Sequence, residues 1–184
     1  MKKLLFLDLE TGGLDPSKDP ILEVAAFIPA DNNLACFRVS PGQRKVTPEA
    51  AAVNGYDEAK WGFCLSHWWA MSVLQNAFCS HDYILCGHNV RFDFEFLTSA
   101  FSEQAMSPPR VDHHFIDTAA LAVPLLLTGE VKSLSLSSLC EHFQTPHRPK
   151  HSAMSDVLST VDLFEALMDR LGFGSYCKEG NYVL

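Results

Sequence analysis

The chain has 184 residues, enough for one domain with a full hydrophobic core. A 47% hydrophobic fraction excludes a disordered chain, and no stretch is long and apolar enough to cross a bilayer. With 14 Lys and Arg against 22 Asp and Glu, the net charge of −8 excludes broad electrostatic attraction to a nucleic-acid duplex.

Met1-Lys2-Lys3 followed by Leu4 to Leu7 resembles the start of a secretory leader, but the apolar run stops at Asp8. Four residues are too few for such a leader, so the expected location is the cytoplasm. Residues 3–10 instead read as a strand that is apolar on both faces, which suits the centre of a sheet covered on two sides. A Gly/Asp/Pro-rich turn over 11–20 leads to strands over 21–30 and 34–40, joined by a hairpin turn at Asp31-Asn32-Asn33. Thr47 and Pro48 fit the N-cap and first position of a short helix ending at Asn54-Gly55.

A longer helix is expected over 66–80, a short strand over 83–86, and a helix over 90–103 with Asn89 as its N-cap. A fifth strand over 114–116 precedes helices near 118–127 and 133–143. In the last helix Val157, Val161, Phe164, Met168 and Leu171 recur at helical spacing and form one apolar stripe. Strands come first and then alternate with helices, which predicts an α/β fold with a mixed sheet. The whole chain, 1–184, reads as a single domain with its core over 3–171 and a tail over 172–184.

None of the six cysteines forms a C-x-x-C pair, and Cys140-Glu141-His142 has no partner pair at zinc spacing. Buried thiols in a reducing compartment account for them. His113-His114 resembles a metal site only superficially.

Three segments carry the chemistry. Asp8 and Glu10 stand two apart on a strand, so they share a face, about 6–7 Å apart along the backbone. Two like charges that close raise each other's pKa unless a cation joins them, although a strand end that has reached water is the plainer explanation of an isolated pair. Asp93, in "GHNVRFDFEFL", lies in the first turn of its helix, where a carboxylate also has a simple dipole role. His151 and Asp156 would point about 140° apart on one helix. With Ser152 as N-cap, His151 falls in the preceding loop and both can face one cleft. Four carboxylates and an imidazole on these elements suit hard divalent cations.

The ordered spacings D-x-E-T-G, N-x-x-F-D and H-x4-D resemble those of the DnaQ-like DEDDh family of 3′→5′ exonucleases. "ILEVAAF", "FIDTAAL" and "SLSLSSLCEHF" add weaker matches between them. The resemblance covers residues 4–170 and implies a ribonuclease H-like fold, a five-stranded mixed sheet with helices on both faces. It implies that Asp8, Glu10, Asp93 and Asp156 bind two Mg²⁺ or Mn²⁺ ions and that His151 is the general base. It also implies the substrate, the 3′ end of a single-stranded DNA or RNA, cut to nucleoside 5′-monophosphates.

By the same resemblance Thr11, Gly12 and Gly13 form the loop that receives the terminal sugar, Leu14 wedges against the last base, and Asn54, Gly55, Asn89 and Phe92 lie near the 3′ end. A plain turn explains Gly12-Gly13 equally well, and Phe92 equally suits the core. The family often has Thr-Gly where this chain has Gly12-Gly13, and a His where it has Asn54. Arg148 and Lys150 could hold a phosphate, or simply be a solvated loop. Trp68 and Trp69 could stack bases, but the apolar character of their helix predicts burial. Two rival readings stay open: a non-catalytic interaction module on this fold, and an endonuclease-type phosphoesterase. A homodimer or a polymerase partner is compatible with the family, and the sequence decides neither.

Overall fold

The computed structural model describes residues 2–78, 83–146, 148–149 and 151–174. Five strands, β1 (Lys3–Thr11), β2 (Ile21–Ile28), β3 (Asn33–Arg38), β4 (Tyr83–Gly87) and β5 (Val111–Asp117), form one sheet in the order β3-β2-β1-β4-β5. β2 runs antiparallel to β1 and β3 antiparallel to β2, whereas β4 is parallel to β1 and to β5. The sheet is therefore mixed, with β1 at its centre.

Alternation along β1 builds both layers of the core. Leu5, Leu7 and Leu9 face α2 (His67–Phe78) and α3 (Val90–Glu103), meeting Met71, Leu74, Phe96 and Phe101. Leu4 and Phe6 face α7 (Ala153–Arg170), meeting Val157, Val161 and Phe164. The Phe6 and Phe164 rings pack edge to face at 5.6 Å, and neither is exposed by more than 2%. Truncating Phe6 to Ala would cost about 3–5 kcal/mol. A third cluster packs Leu139 of α6 (Leu136–His142) against Leu163 and Leu167 of α7.

The helix α1 (Pro48–Asn54) starts and stops as its sequence requires. The Thr47 hydroxyl accepts from the Ala50 amide at 3.1 Å, and Gly55 closes the helix at φ +70°. β2 ends two residues before the expected 30, because Pro29–Asp31 forms a 3₁₀ turn. The helix expected over 118–127 is two pieces, α4 (Thr118–Leu121) and α5 (Val123–Leu127). Pro124 lacks the N–H that a continuous helix needs. α2 ends at Phe78, and the rest of its expected span lies outside the described residues, as do Lys150 and tail residues 175–184.

Trp68 and Trp69 correct the expectation of burial, being 50% and 60% exposed. α2 buries Ala70, Met71, Leu74 and Phe78, a stripe that turns both indoles outward. Among the described residues no helix is long and apolar enough to cross a membrane.

Candidate active site

Asp8 continues the Leu4–Phe6 row of β1, so it points toward α7. Burial, then the charges of Asp93, Asp156 and Glu10, push its carboxyl well above the ordinary range. Glu10, on the same face, is pushed up to about 7, by burial first and then by Asp156 and Glu23. Asp93 comes from the opposite layer. It sits in the first turn of α3, 4% exposed, and its Oδ1 accepts from the Leu9 amide at 2.9 Å. Burial raises its carboxyl too, while that hydrogen bond pulls the other way. One side chain from each layer thus meets at the end of β1.

The remaining two groups arrive from the start of α7. His151 lies in the loop with a left-handed backbone, φ +60°, and Asp156 lies in the first turns of the helix. Ligand atoms of Glu10, His151 and Asp156 all lie within 4.8 Å of one another. Charge coupling joins Asp8 to Asp93, Asp156 and Glu10, so carboxylates from β1, α3 and α7 gather, with His151 beside Glu10 and Asp156 because of its place in the loop.

Ser152 precedes α7 but its side chain makes no capping hydrogen bond. Burial raises the carboxyl of Glu23, on β2, and the Ala153 amide that it faces pulls the other way, so a carboxylate from the sheet stands at the start of α7. Glu23 pairs in register with Glu10 across β2 and β1. Reading the motifs missed this residue. The available signal was its place as the one acid in "ILEVAAF", an otherwise apolar strand.

The residues assigned to substrate surround the same strand end. Thr11 is buried and donates its hydroxyl to the Gly13 carbonyl at 2.7 Å. Asn54 donates to the Thr11 carbonyl at 3.0 Å, which ties α1 with Gly55 to the loop. Leu14 projects from that loop, 84% exposed. The glycines have a packing reason of their own. A Cβ on Gly12 would stand 2.6 Å from the Pro20 ring, and one on Gly13 would stand 2.1 Å from the Asp19 carboxylate. Phe92 is half-buried against Phe96 at 4.8 Å.

Asn89 is not a side-chain cap. It adopts φ +61°, and its amide donates to Asp117 Oδ1 at 3.1 Å. Asp117 in turn caps α4 through the Ala119 amide at 2.9 Å. Arg148 is committed to an ion pair with Asp162. His142 lies beside Glu130 at 3.3 Å, so Cys140-Glu141-His142 is not a metal cluster among the described residues. Beside His151 and Asp156 opens a cavity of about 670 Å³, lined also by Ser138, Glu141, Gln144 and Arg148.

The donor set fits divalent cations. Carboxylates that burial and mutual repulsion drive toward proton uptake are relieved by positive charge placed among them. Oxygen donors with open sides suit Mg²⁺ or Mn²⁺.

The family model "Exonuclease" matches residues 5–164 of the chain. Ribonuclease T of Salmonella choleraesuis is 29% identical over 185 residues, covering 89% of this chain and 83% of its own. A Mycobacterium tuberculosis protein, named as a bifunctional exonuclease/endonuclease, is 33% identical over 91 residues. That match covers half of this chain and 14% of the longer protein. Among solved structures, Escherichia coli exonuclease I in complex with a dT13 oligonucleotide superimposes with a TM-score of 0.75 at 21% identity. It covers 94% of this chain, which spans 43% of the exonuclease I chain. Exonuclease I of Methylocaldum szegediense gives a TM-score of 0.76 at 18% identity, over 92% of this chain and 41% of that one.

Proposed function

The chain belongs to this exonuclease family and is by that kinship a 3′→5′ exonuclease; on that premise we propose that it trims single-stranded nucleic acid one nucleoside 5′-monophosphate at a time. The observation that carries the reading is the convergence of Glu10, His151 and Asp156 within 4.8 Å. Asp8 and Asp93 flank them from the two layers of the fold.

Asp8, Glu10, Asp93 and Asp156 would hold two divalent ions, Mg²⁺ or Mn²⁺. When bound, such ions acidify water and stabilise charge on a leaving oxygen. His151 takes the proton of the attacking water, the general-base role that an imidazole side chain most often fills. The water oxygen bonds to the terminal phosphorus as the bond from phosphorus to the 3′ oxygen breaks. The freed 3′ oxygen takes a proton from solvent, so the shortened strand ends in a 3′-hydroxyl and the terminal nucleotide leaves as its 5′-monophosphate. Asn54 and the Thr11–Gly13 loop shape the seat of the terminal sugar, and exposed Leu14 meets the last base. A seat for a few terminal nucleotides needs few basic residues, which reconciles the activity with a net charge of −8.

Ribonuclease T carries RNA in its name, and the exonuclease I structure holds a DNA oligonucleotide. The test therefore uses both: 5′-labelled single-stranded DNA and RNA with Mn²⁺, each with and without a 3′-phosphate. A ladder shortening from the 3′ end, impeded by the phosphate, is expected on at least one of them. Internal cuts or an intact substrate would overturn the reading.

A further inference from the structure

The carboxylate cluster is not the only place where metal-ligating atoms gather. β5 is an edge strand, and its pairing with β4 jumps from Tyr83↔Val111 to Leu85↔Phe115. Two extra residues are thus looped out of β5, over 112–114. In a regular strand neighbouring side chains point to opposite faces. The bulge cancels that alternation and brings His113 and His114 together, with ring centroids 3.7 Å apart. Both Nδ1 atoms approach Asp112 Oδ1, at 3.3 Å from His113 and 2.7 Å from His114.

The carboxylate is built in rather than loose. Asp112's side chain is 7% exposed, the His114 amide donates to its Oδ1 at 2.8 Å, and Lys2 pairs with its Oδ2. The imidazoles, 83% and 75% exposed, are open to solvent. Val111 stands opposite Tyr83, which stands opposite Lys3. Phe115 likewise stands level with Leu5, so the group lies about four residues short of Asp8 along the strand direction and two strands to its side, roughly 16 Å away in all.

We propose that Asp112, His113 and His114 form a second metal site, separate from the carboxylate cluster, that takes a borderline divalent ion such as Zn²⁺. Two imidazole nitrogens and one carboxylate oxygen are the donor set that such an ion prefers and that Mg²⁺ does not. Bonds of about 2.0–2.2 Å in a tetrahedral centre set ligand atoms about 3.3–3.5 Å apart, within a small adjustment of the spacings seen here. Binding moves each ring proton from Nδ1 to Nε2, which exposed rings accommodate, and solvent completes the coordination. The ion fastens the bulge of the edge strand. Lys2, on the far oxygen, keeps the site partly neutralised and moderates its affinity.

Calorimetric titration of the full chain with Zn²⁺, in excess Mg²⁺ to occupy the carboxylates, tests it. The His113→Ala/His114→Ala chain takes up one Zn²⁺ fewer than the native chain. His113→Gln/His114→Gln, which preserves side-chain bulk and polarity, shows the same loss, and both keep the native far-UV circular dichroism and Tm in excess Mg²⁺ as a check on folding. Equal Zn²⁺ uptake by the native and substituted chains would overturn the proposal.

Discussion

Glu23, on β2, stands before the amide of Ala153, the first residue of α7: burial raises its carboxyl, and that N–H pulls the other way. A carboxylate from another element thus lies at the start of α7, against the sheet. His151 stands two residues before that amide and Asp156 three residues after it. Ser152, in the usual capping place, makes no capping hydrogen bond.

Loss of this carboxylate should therefore disturb catalysis more than substrate binding. A charge at a helix start is worth about 0.3–1 kcal/mol of stability, so Glu23→Ala is expected to lower Tm by about 1–4 °C and to lower kcat with KM little changed. Glu23→Gln retains a carbonyl oxygen facing that amide and should recover most of the rate. Melting curves and steady-state kinetics on the three chains decide it; a glutamine variant as slow as the alanine one would show that the contact with the start of α7 is not what matters.

His151→Ala should lose at least ~100-fold in kcat, the usual scale for a general base. Divalent-ion and oligonucleotide binding, measured calorimetrically, should persist. The left-handed backbone at His151 is compatible with alanine only at modest strain, so a melting curve recorded alongside separates chemistry from stability. Unimpaired turnover would remove His151 from the mechanism.

Protonation of the cluster links pH to stability. Glu10, ordinarily near 4.5, is raised to about 7 in the fold, and Asp8 and Asp93 are raised as well. For acids raised by folding, the native state binds more protons than the unfolded chain. With chelator present, stability should be full below about pH 4.5 as far as Glu10 is concerned, and be lost as pH rises through 7. Mn²⁺ should reverse the trend, and its effect on Tm should be larger at pH 8 than at pH 5. A chelated protein whose Tm climbs across that window would contradict the assignment.

Asp8→Asn removes the most crowded of these charges while keeping its shape. Without metal, the substituted chain should be more stable by about 1 kcal/mol, or roughly 2–4 °C in Tm. Cleavage should be abolished in the same chain. A lower Tm in chelator would mean that Asp8 serves the fold and not the site.

The elements that sequence patterning located are those governed by local rules. Alternation put Asp8 and Glu10 on one face of β1, and the 3.6-residue stripe from Val157 to Met168 outlined α7, whereas Leu171, just past its end, is 52% exposed. Thr47, Pro48 and Gly55 bounded α1 for reasons confined to a single turn. What escaped depends on distant partners. Ser152 has the chemistry of a cap but makes no capping bond, and the acid that faces the start of α7, Glu23, is 129 residues earlier in the chain, on β2. Asn89 likewise yields to Asp117. The outward Trp68 and Trp69 reflect which side of α2 meets the sheet, which an apolar window does not state. The two-residue bulge over 112–114 follows from pairing with β4, and only that pairing turns His113 and His114 into a cluster with Asp112.

Anomalous X-ray diffraction at the manganese edge, from crystals grown with Mn²⁺ and a nucleoside 5′-monophosphate, probes the foundation directly. The account predicts strong peaks enclosed by Asp8, Glu10, Asp93 and Asp156, with the phosphate beside them and the His151 imidazole turned toward it. A map with no manganese among those carboxylates, or with the phosphate seated elsewhere, would contradict it.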